Sequence, residues 1–431
     1  PPPPTHTHTQ SIDLVFIMKP SSSSRPRSPL PSLLLFSVLG FTARPCDGQA
    51  GGFVGLTSNK SLVIRAPDDG QVLINGADFR ALTDSVAALQ QQMAALGEHA
   101  HACVTAYDTT TMANVAGLGK WTGGVLAPNG KIYGIPFSSP SVLIIDPATN
   151  TADTTSITGL AGANKWFGGV LARNNKIYGI PFNASSVLII DPATGTTDTT
   201  SITGLTGTAK WIGGVLAGNG KIYAMPWNSA SVLIVDPATN VASTDTITVP
   251  VELGNAKWHG GVVAGFGLIF GVPFLARTVL VIDPDVNTTS HINVPDGTPA
   301  SAWAGGVVAT NGMVYGIPFN ASSFLVIDPL ASTASLLLSG LDGSSKYFGG
   351  VEAGNGKIYA MPWYKPSVLA LDPTTQTANA TVAVDTGGTG EVLGFWAGGV
   401  LARGRIFGIP YNAPSVLIIE QQCPVFFRKA L

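Results

Sequence analysis

The chain has 431 residues, of which 11% are charged, and its formal net charge at pH 7 is −2. It has no strongly basic patch and no acidic tail, so the charge pattern predicts no nucleic-acid partner. The apolar residues lie in short runs, none of which reaches the roughly 18 uncharged residues that a membrane-spanning helix needs. Such short runs are typical of buried β-strands.

Residues 1–50 have the pattern of a leader that is removed from the mature protein. Met18 and Lys19 are followed by further basic residues, by an apolar stretch of about 12 residues at 30–41, and by small residues around a cleavage point. This order is that of a secretory signal peptide. A disordered tail rich in Pro and Ser is the alternative interpretation. We expect residues 1–17 to precede the true start and the protein to be secreted.

Residues 51–76 predict a β-hairpin, and residues 77–98 predict a helix. The turn sequence Pro-Asp-Asp-Gly separates two short apolar runs in the first stretch. In the second, Asp78 is a good N-cap and Gly97 a good stop signal. The apolar residues between them are spaced alternately by three and four, as heptad a and d positions are: Phe79, Leu82, Val86, Leu89, Met93 and Leu96.

This predicted helix favours a coiled-coil stalk. A helix of that length is marginal by itself in water, and an oligomer would supply the missing burial. We therefore expect a homo-oligomer, a trimer or a dimer, formed through residues 79–96. An amphipathic helix docked on the rest of the chain is the alternative.

The rest of the chain is a sevenfold repeat. A Trp-x-Gly-Gly motif, with Tyr in one copy, recurs 44 to 49 residues apart at Trp121, Trp166, Trp211, Trp258, Trp303, Tyr347 and Trp396. Each copy contains four strand-like segments, of which the first three are apolar and the fourth is rich in Thr. This period and strand count are the signature of a propeller. The predicted fold class is all-β: a seven-bladed β-propeller of four-stranded blades over residues 103–423, followed by a C-terminal tail at 424–431.

The repeat resembles the kelch repeat in two segments. Residues 129–133 read Asn-Gly-Lys-Ile-Tyr, and residues 145–150 read Ile-Asp-Pro-Ala-Thr-Asn. The chain departs from the kelch pattern where Ile135-Pro136 replaces the diglycine after the Tyr, and where Ala152 replaces an aromatic residue. The resemblance implies a kelch-like propeller. It implies no particular function, since propellers carry many.

The two ends of the repeat region predict how the ring closes. The last copy lacks a fourth strand, and residues 109–117, which precede the first copy, match one. We therefore expect an N-terminal strand to complete the last blade and leave no open edge. Cys103 and Cys423 flank these segments and predict a disulfide bond that locks the ring in an oxidising compartment. Two free thiols are the alternative.

Two sets of seven aromatic residues are candidates for ligand contact. The first set is that of the Trp-x-Gly-Gly motif. The second set follows the repeated Pro, at Phe137, Phe182, Trp227, Phe274, Phe319, Trp363 and Tyr411. Aromatic faces stack on sugars, so a ring around a channel mouth would indicate a lectin. Blade-to-blade packing is the favoured interpretation, because every blade needs the same filler whereas a site needs only some.

Copies four and six differ most from the others. Copy four carries His259 and Arg277, and copy six carries Glu352 in an apolar strand and Lys365 in the following loop. Because an unpaired buried carboxylate is costly, we expect Glu352 to face the channel and to share a central cavity with His259. Sequence drift in a blade without function is the alternative. The candidate ligand-binding residues are His259, Glu352, Arg277, Lys365, Trp227 and Trp363.

Catalytic and metal-binding patterns are missing from the sequence. There is no Gly-x-Ser-x-Gly elbow, phosphate loop or His/Cys metal spacing, so we predict no catalytic residue, no metal, no cofactor and no enzyme. The repeated Asp-Pro carboxylates are expected to cap turns. Sequons predict glycan attachment, if the protein is secreted by a eukaryote, at Asn59, Asn183, Asn287, Asn320 and Asn379.

These features predict a secreted, non-catalytic binding or structural propeller on an oligomeric stalk. Its expected partner is a protein or a glycan on a cell or matrix surface. The alternatives are a multivalent lectin and an enzyme with a site at the channel mouth. A lectin predicts exposed aromatic residues on several blades, an enzyme predicts one asymmetric polar cavity, and a scaffold predicts neither.

Overall fold

The computed structural model describes residues 104–422, apart from 251–253, 339 and 386–393, together with four short strands that precede them. The chain divides into two units, residues 1–101 and 102–431. The predicted leader, the helix at 79–96 with its oligomer, both flanking cysteines and the tail at 424–431 lie outside the described residues.

The first unit contains two short antiparallel strand pairs. The strands are β1 Phe53–Leu56, β2 Leu62–Arg65, β3 Leu73–Ile74 and β4 Ala77–Asp78. β1 pairs with β2, and β3 pairs with β4. The expected pairing of the runs on either side of residues 67–70 is therefore wrong. β2 instead pairs with the longer apolar segment before it, which offers four partners where β3 offers only two.

The second unit begins with β5 Val104–Asp108 and continues with regular four-stranded blades. Blade 1 consists of β6 Trp121–Leu126, β7 Ile132–Pro136, β8 Leu143–Asp146 and β9 Thr151–Asp153. Blade 2 consists of β10 Trp166–Leu171, β11 Ile177–Pro181, β12 Leu188–Asp191 and β13 Thr196–Asp198. Blade 3 consists of β14 Trp211–Leu216, β15 Ile222–Pro226, β16 Leu233–Asp236 and β17 Val241–Ser243.

The later blades have longer outer strands. Blade 4 consists of β18 Trp258–Ala264, β19 Leu268–Pro273, β20 Thr278–Asp283 and β21 Thr288–Asn293. Blade 5 consists of β22 Trp303–Val308, β23 Val314–Pro318, β24 Ser323–Asp328 and β25 Thr333–Leu338. Blade 6 consists of β26 Tyr347–Glu352, β27 Ile358–Pro362, β28 Ser367–Asp372 and β29 Thr377–Ala383. Blade 7 contains β30 Trp396–Ala402, β31 Arg405–Pro410 and β32 Leu417–Gln422.

The ring closes through an N-terminal strand, as predicted, but at a different position. β5 pairs antiparallel with β32 in a register that ends at Val104 opposite Gln422. The predicted strand at 109–117 is instead the loop that follows β5. The Asp108 carboxylate ends the strand, because its Oδ1 accepts hydrogen bonds from the backbone N–H groups of Thr110, at 2.7 Å, and of Thr111, at 3.0 Å. The predicted fold class is confirmed: the unit is an all-β, seven-bladed propeller.

The tryptophans of the Trp-x-Gly-Gly motif pack between the blades. Trp121 is 2% exposed, and its indole Nε1 donates to the Ser141 carbonyl oxygen at 2.7 Å. Every motif tryptophan makes the same bond, to the carbonyl oxygen of the residue 20 positions later in the sequence, or 19 positions later in blade 7. This set of aromatic residues therefore packs in the core between the blades, as expected, and does not surround a channel mouth.

The two glycines of the motif permit close packing around the propeller axis. The first glycine has a positive φ in every blade, and it lies against its counterpart in the next blade. A Cβ on Gly213 (φ 63) would lie 3.0 Å from the Gly260 Cα. The second glycine faces the residue that precedes the Pro of the previous blade: a Cβ on Gly169 would lie 2.6 Å from the Ile135 Cδ1. This contact explains why Ile, Val or Met stands where kelch repeats have a diglycine.

Turns at one end of the propeller join neighbouring blades. This end carries the turns between strands one and two and between strands three and four of each blade. We call it the opposite face, because it lies at the other end of the axis from the loops between strands two and three. Asn129 Nδ2 in blade 1 donates to the Pro192 carbonyl oxygen of blade 2 at 3.2 Å and to the Tyr133 hydroxyl at 2.9 Å. Between blades 7 and 1, where the ring closes, Arg405 of blade 7 takes the place of the Asn and Tyr side chains. It donates to Asn150 Oδ1 at 3.0 Å and to the Pro147 carbonyl oxygen of blade 1. The Asp-Pro carboxylates cap the other turns, as predicted.

No helix among the residues that the structure describes has the length and apolar character to cross a membrane.

Candidate ligand-binding face

The loops between strands two and three bring the second set of aromatic residues together at the other end of the axis. We call this end the aromatic face. Five of the seven neighbouring ring pairs have centroids 4.8 to 5.9 Å apart. Phe137 is 8% exposed, whereas the six others are half-buried. These side chains thus form a nearly continuous aromatic ring that is open to solvent.

Three further rings occupy the centre of this face. Phe167, His259 and Phe348 come from the variable position of the Trp-x-Gly-Gly motif in blades 2, 4 and 6. Their centroids lie 5.5, 5.9 and 4.6 Å apart, so each contacts both of the others across the axis. The remaining blades supply smaller, fully buried side chains at this position: Thr122, Ile212, Ala304 and Ala397. The centre of the face is therefore a closed aromatic floor rather than an open channel.

His259 is a neutral part of that floor. It is 5% exposed and packs edge-on against Phe348, with Trp227 and Phe274 also within 6 Å between centroids. Burial lowers the pKa of His259 to about 4, so the imidazole is uncharged at neutral pH. Its Nδ1 is buried without a hydrogen-bond partner in the described part of the chain. No carboxylate contacts the ring there, so these surroundings do not form an acid–base pair.

Glu352 lies at the opposite end of the inner strand. Its Oε1 accepts hydrogen bonds from the Thr310 N–H at 2.9 Å and from the Thr310 hydroxyl at 2.8 Å. Phe348, which contacts His259, is four residues earlier on the same strand, about 13 Å away at the usual rise. The structure therefore does not bring His259 and Glu352 to one cavity. The carboxylate escapes the expected burial cost because it is partly exposed and hydrogen-bonded.

The other four candidates lie on the aromatic face. Trp227 and Trp363 belong to the aromatic ring, while Arg277 and Lys365 belong to the loops that carry it. Arg277 Nη1 donates to the Thr298 carbonyl oxygen at 2.7 Å and to its hydroxyl at 3.2 Å. Five of the six candidate residues therefore lie on the aromatic face, and Glu352 lies at the other end of the axis.

A set of buried lysines surrounds the aromatic ring and was missed by the sequence analysis. Each precedes the motif aromatic residue and is at most 5% exposed: Lys120, Lys165, Lys210, Lys257 and Lys346. Lys165 Nζ donates to three backbone carbonyls, those of Phe137, Ser139 and Gly162, at 2.6 to 3.2 Å. Burial lowers the pKa of this ammonium group to about 8. None of the five forms an ion pair with a described residue. The recurring Lys-Trp dipeptide was the available signal.

The predicted glycan sites have different surroundings. Asn183 and Asn320 hold the next blade, accepting backbone hydrogen bonds at 2.7 and 2.8 Å. Asn228 makes the same bond without a sequon, which shows that this bond has a structural role independent of glycosylation. Asn287 and Asn379 are exposed, the latter on the outermost strand of blade 6. Asn59 lies outside the described residues.

Comparison with known proteins supports the fold. No protein-family model and no curated sequence matches the chain, so the kelch identity of the repeat is not confirmed. The structure is similar to that of a streptogramin B lyase, with a TM-score of 0.61, 9% identity, and coverage of 74% of this chain and 98% of the lyase. It is also similar to virginiamycin B lyase from Staphylococcus aureus, with a TM-score of 0.60, 9% identity, and coverage of 74% and 99%.

Two of the other similar structures are not described as enzymes. The extracellular domain of a hybrid two-component system from B. thetaiotaomicron matches with a TM-score of 0.56 and 10% identity, over 74% of this chain and 40% of that one. The WD40 repeats of RRP9 match with a TM-score of 0.52 and 11% identity, over 73% and 97%. At these identities the likeness shows the fold alone.

The lyases correct one expectation of the sequence analysis. The prediction that the protein is not an enzyme rested on the absence of familiar catalytic motifs. It is wrong, because this same propeller architecture is an enzyme in streptogramin B lyase and virginiamycin B lyase.

Proposed function

We propose that the protein is an extracellular binding protein whose aromatic face takes a carbohydrate ligand. The observation that carries this proposal is the ring of six half-buried aromatic side chains, each partly exposed to solvent, around Phe167 and Phe348. The leader-like residues 1–50 support an extracellular location. The extracellular domain of a two-component system among the similar structures is consistent with it.

Packing alone does not explain these side chains. The motif tryptophans already fill the space between blades and are at most 4% exposed. The rings of the aromatic face leave part of their surface in water, and three apolar residues of the same face are still more exposed: Leu118 at 65%, Leu275 at 42% and Tyr364 at 40%. A contiguous apolar surface of this kind marks an interaction site. Flat rings on a shallow floor suit the C–H faces of sugars.

The hydrogen-bonding groups at the rim support a polar ligand over a purely apolar one. Asn and Ser side chains stand next to the ring in most blades, and the buried lysines add positive charge below the loops. Each blade offers a similar small contact, so affinity would accumulate over several sugar units. An oligomer through residues 79–96, as the sequence predicts, would add avidity.

The test is a glycan-binding screen of the full-length protein, followed by variants. Trp227→Ala should weaken binding of any glycan found about three- to tenfold, because it removes one stacking surface. Phe266→Ala is the matched control: Phe266 is 71% exposed but lies in a turn of the opposite face. If no glycan binds, or if Trp227→Ala binds as tightly as the wild type, the proposal fails.

Intrinsic fluorescence provides a second readout. Of the eight tryptophans, only Trp227 and Trp363 are half-buried rather than buried. A ligand on the aromatic face should therefore protect a minority of the fluorescence from quenching by iodide. Because the same fold is catalytic in the lyases, each bound glycan should also be recovered and analysed by mass spectrometry for conversion.

A further inference from the structure

The aromatic face carries one cation that the described residues leave free. Lys365 lies in the loop after strand two of blade 6, and its Nζ is 3.5 Å from the position that a Cβ on Gly343 would take. Within the described part of the chain it donates no hydrogen bond and forms no ion pair. Arg277, the other cation on these loops, is bound to Thr298. Lys365 is therefore the ammonium group that a ligand on this face can reach.

Lys365 directly follows an aromatic platform. Trp363 stacks on Phe348 with centroids 4.6 Å apart and an angle of 27° between the rings. Tyr364 is parallel to Trp363 within 7°, at 6.4 Å, and is 40% exposed. Tyr364 thus presents an exposed aromatic ring beside the half-buried Trp363, and the free ammonium group belongs to the next residue along the chain.

A second positive charge lies beneath the same loop. Lys346 is fully buried, and its Nζ donates to the Gly343 carbonyl oxygen at 2.7 Å. Burial, and to a lesser extent the charge of Lys365, lowers the pKa of Lys346, while Asp342 acts in the opposite direction. Lys365 and Lys346 thus interact without a described ion pair to neutralise either one. An anion placed over this loop would be attracted by both charges.

Blade 6 is the only copy with this arrangement. Where it has Tyr364 and Lys365, other blades have pairs such as Asn183 and Ala184. The blade therefore departs from the repeat at the two positions that would face a ligand.

We propose that the carbohydrate on the aromatic face is anionic, with a sugar ring on Tyr364 and Trp363 and a carboxylate or sulfate group bound by Lys365. This inference rests on the proposed function and adds to it the charge of the ligand and the blade that recognises it. It involves no covalent step.

The test compares acidic glycans with their own neutral counterparts. The full-length protein is screened against uronate-containing and sulfated oligosaccharides, each beside its carboxyl-reduced or desulfated form. The acidic member should bind about three- to tenfold more tightly, as one charge-assisted contact at a partly exposed site provides. Lys365→Gln should remove that preference, and Lys365→Arg should keep most of it.

Lys357→Gln is the matched control. Lys357 is in the same blade, but it lies at the opposite face and pairs with Asp372 at 4.0 Å, so its loss should leave the preference unchanged. Equal binding of acidic and neutral members, or a preference that survives Lys365→Gln, overturns this inference while the proposed function stands. Failure of every glycan, acidic or neutral, overturns both.

Discussion

The packing of one blade against the next can be tested by a double-mutant cycle at Gly169 and Ile135. A Cβ on Gly169 would lie 2.6 Å from the Ile135 Cδ1 and 2.8 Å from its Cγ1. Carbon atoms in contact are normally about 3.5–4.0 Å apart. Ile135 is fully buried, so it cannot turn away into solvent. The backbone of Gly169 has no positive φ, so the substitution Gly169→Ala tests this contact without backbone strain.

The expected free energies of unfolding follow from these distances. Gly169→Ala overpacks a dense interface and should cost about 1–3 kcal/mol. Ile135→Val removes the Cδ1 and should cost about 0.5–1.5 kcal/mol by itself. In the double variant the shorter side chain relieves the closest contact with the new Cβ. The double variant should therefore be more stable than the sum of the two changes predicts, by at least about 1 kcal/mol.

Urea unfolding of the full-length protein, followed by circular dichroism, measures these differences, provided that the slopes of the variants agree. Gly261 is the matched control, because a Cβ there would meet the flexible Met225 at 3.0 Å instead of a branched side chain. Gly261→Ala should therefore cost less than Gly169→Ala. Strict additivity at Gly169 and Ile135, or equal costs at the two glycines, would refute this account of how the blades pack.

Three further predictions concern closure of the ring and the buried lysines. The paired parts of β5 and β32 end at the residues that adjoin Cys103 and Cys423. A disulfide bond between these cysteines would close a loop of about 320 residues, so its reduction should lower the free energy of unfolding by about 4–5 kcal/mol. An unchanged melting temperature in reductant would count against the bond. Arg405→Ala should cost about 1–3 kcal/mol, because a buried carbonyl loses its charged donor. Lys131→Ala, at an exposed pair of the same face, should cost at most about 1 kcal/mol, and equal losses would contradict the role of Arg405. Burial lowers the pKa of Lys165 from 10.5 to about 8. Between these two pH values the unfolded chain binds more protons than the folded chain, so the stability of the protein should rise with pH. Lys165→Met should flatten that rise in thermal melts, and a fall in the wild-type melting temperature from pH 8 to 10 would refute this prediction.

The repeat was sufficient to predict the fold, because each blade restates the same packing requirements. Trp121 and its counterparts must be buried in every copy, and a period near 45 residues with four strands allows few architectures. The closing strand was misplaced by several residues, since Thr-rich sequence fits both a fourth strand and the loop after it. What ends the strand is the Asp108 carboxylate, whose bonds to the following N–H groups outweigh the β-propensity of Thr110 and Thr111.

The site could be predicted only in part, because its geometry depends on contacts between blades. Lys165 is not paired with a carboxylate but bound by carbonyls from two loops, one of them in the preceding blade, and no local pattern shows such a partner. Glu352 was expected beside His259 because both depart from the repeat. Their positions within the motif set them apart. His259 is the variable residue after the Trp and lies at one end of the axis, whereas Glu352 is the last residue of its inner strand and lies at the other end.

The departure in blade 6 removes a stabilising contact, which is the strongest reason to connect it with function. At the position of Tyr364, Asn183 of blade 2 and Asn228 of blade 3 accept a hydrogen bond from the backbone of the next blade. A tyrosine cannot make that short bond, and the loss of one such bond costs about 1 kcal/mol. Blade 6 therefore gives up a link to its neighbour and instead presents an exposed ring and the free ammonium group of Lys365. Local rules of folding are often broken where a surface serves a ligand, so this loss is consistent with the proposal that blade 6 recognises the ligand.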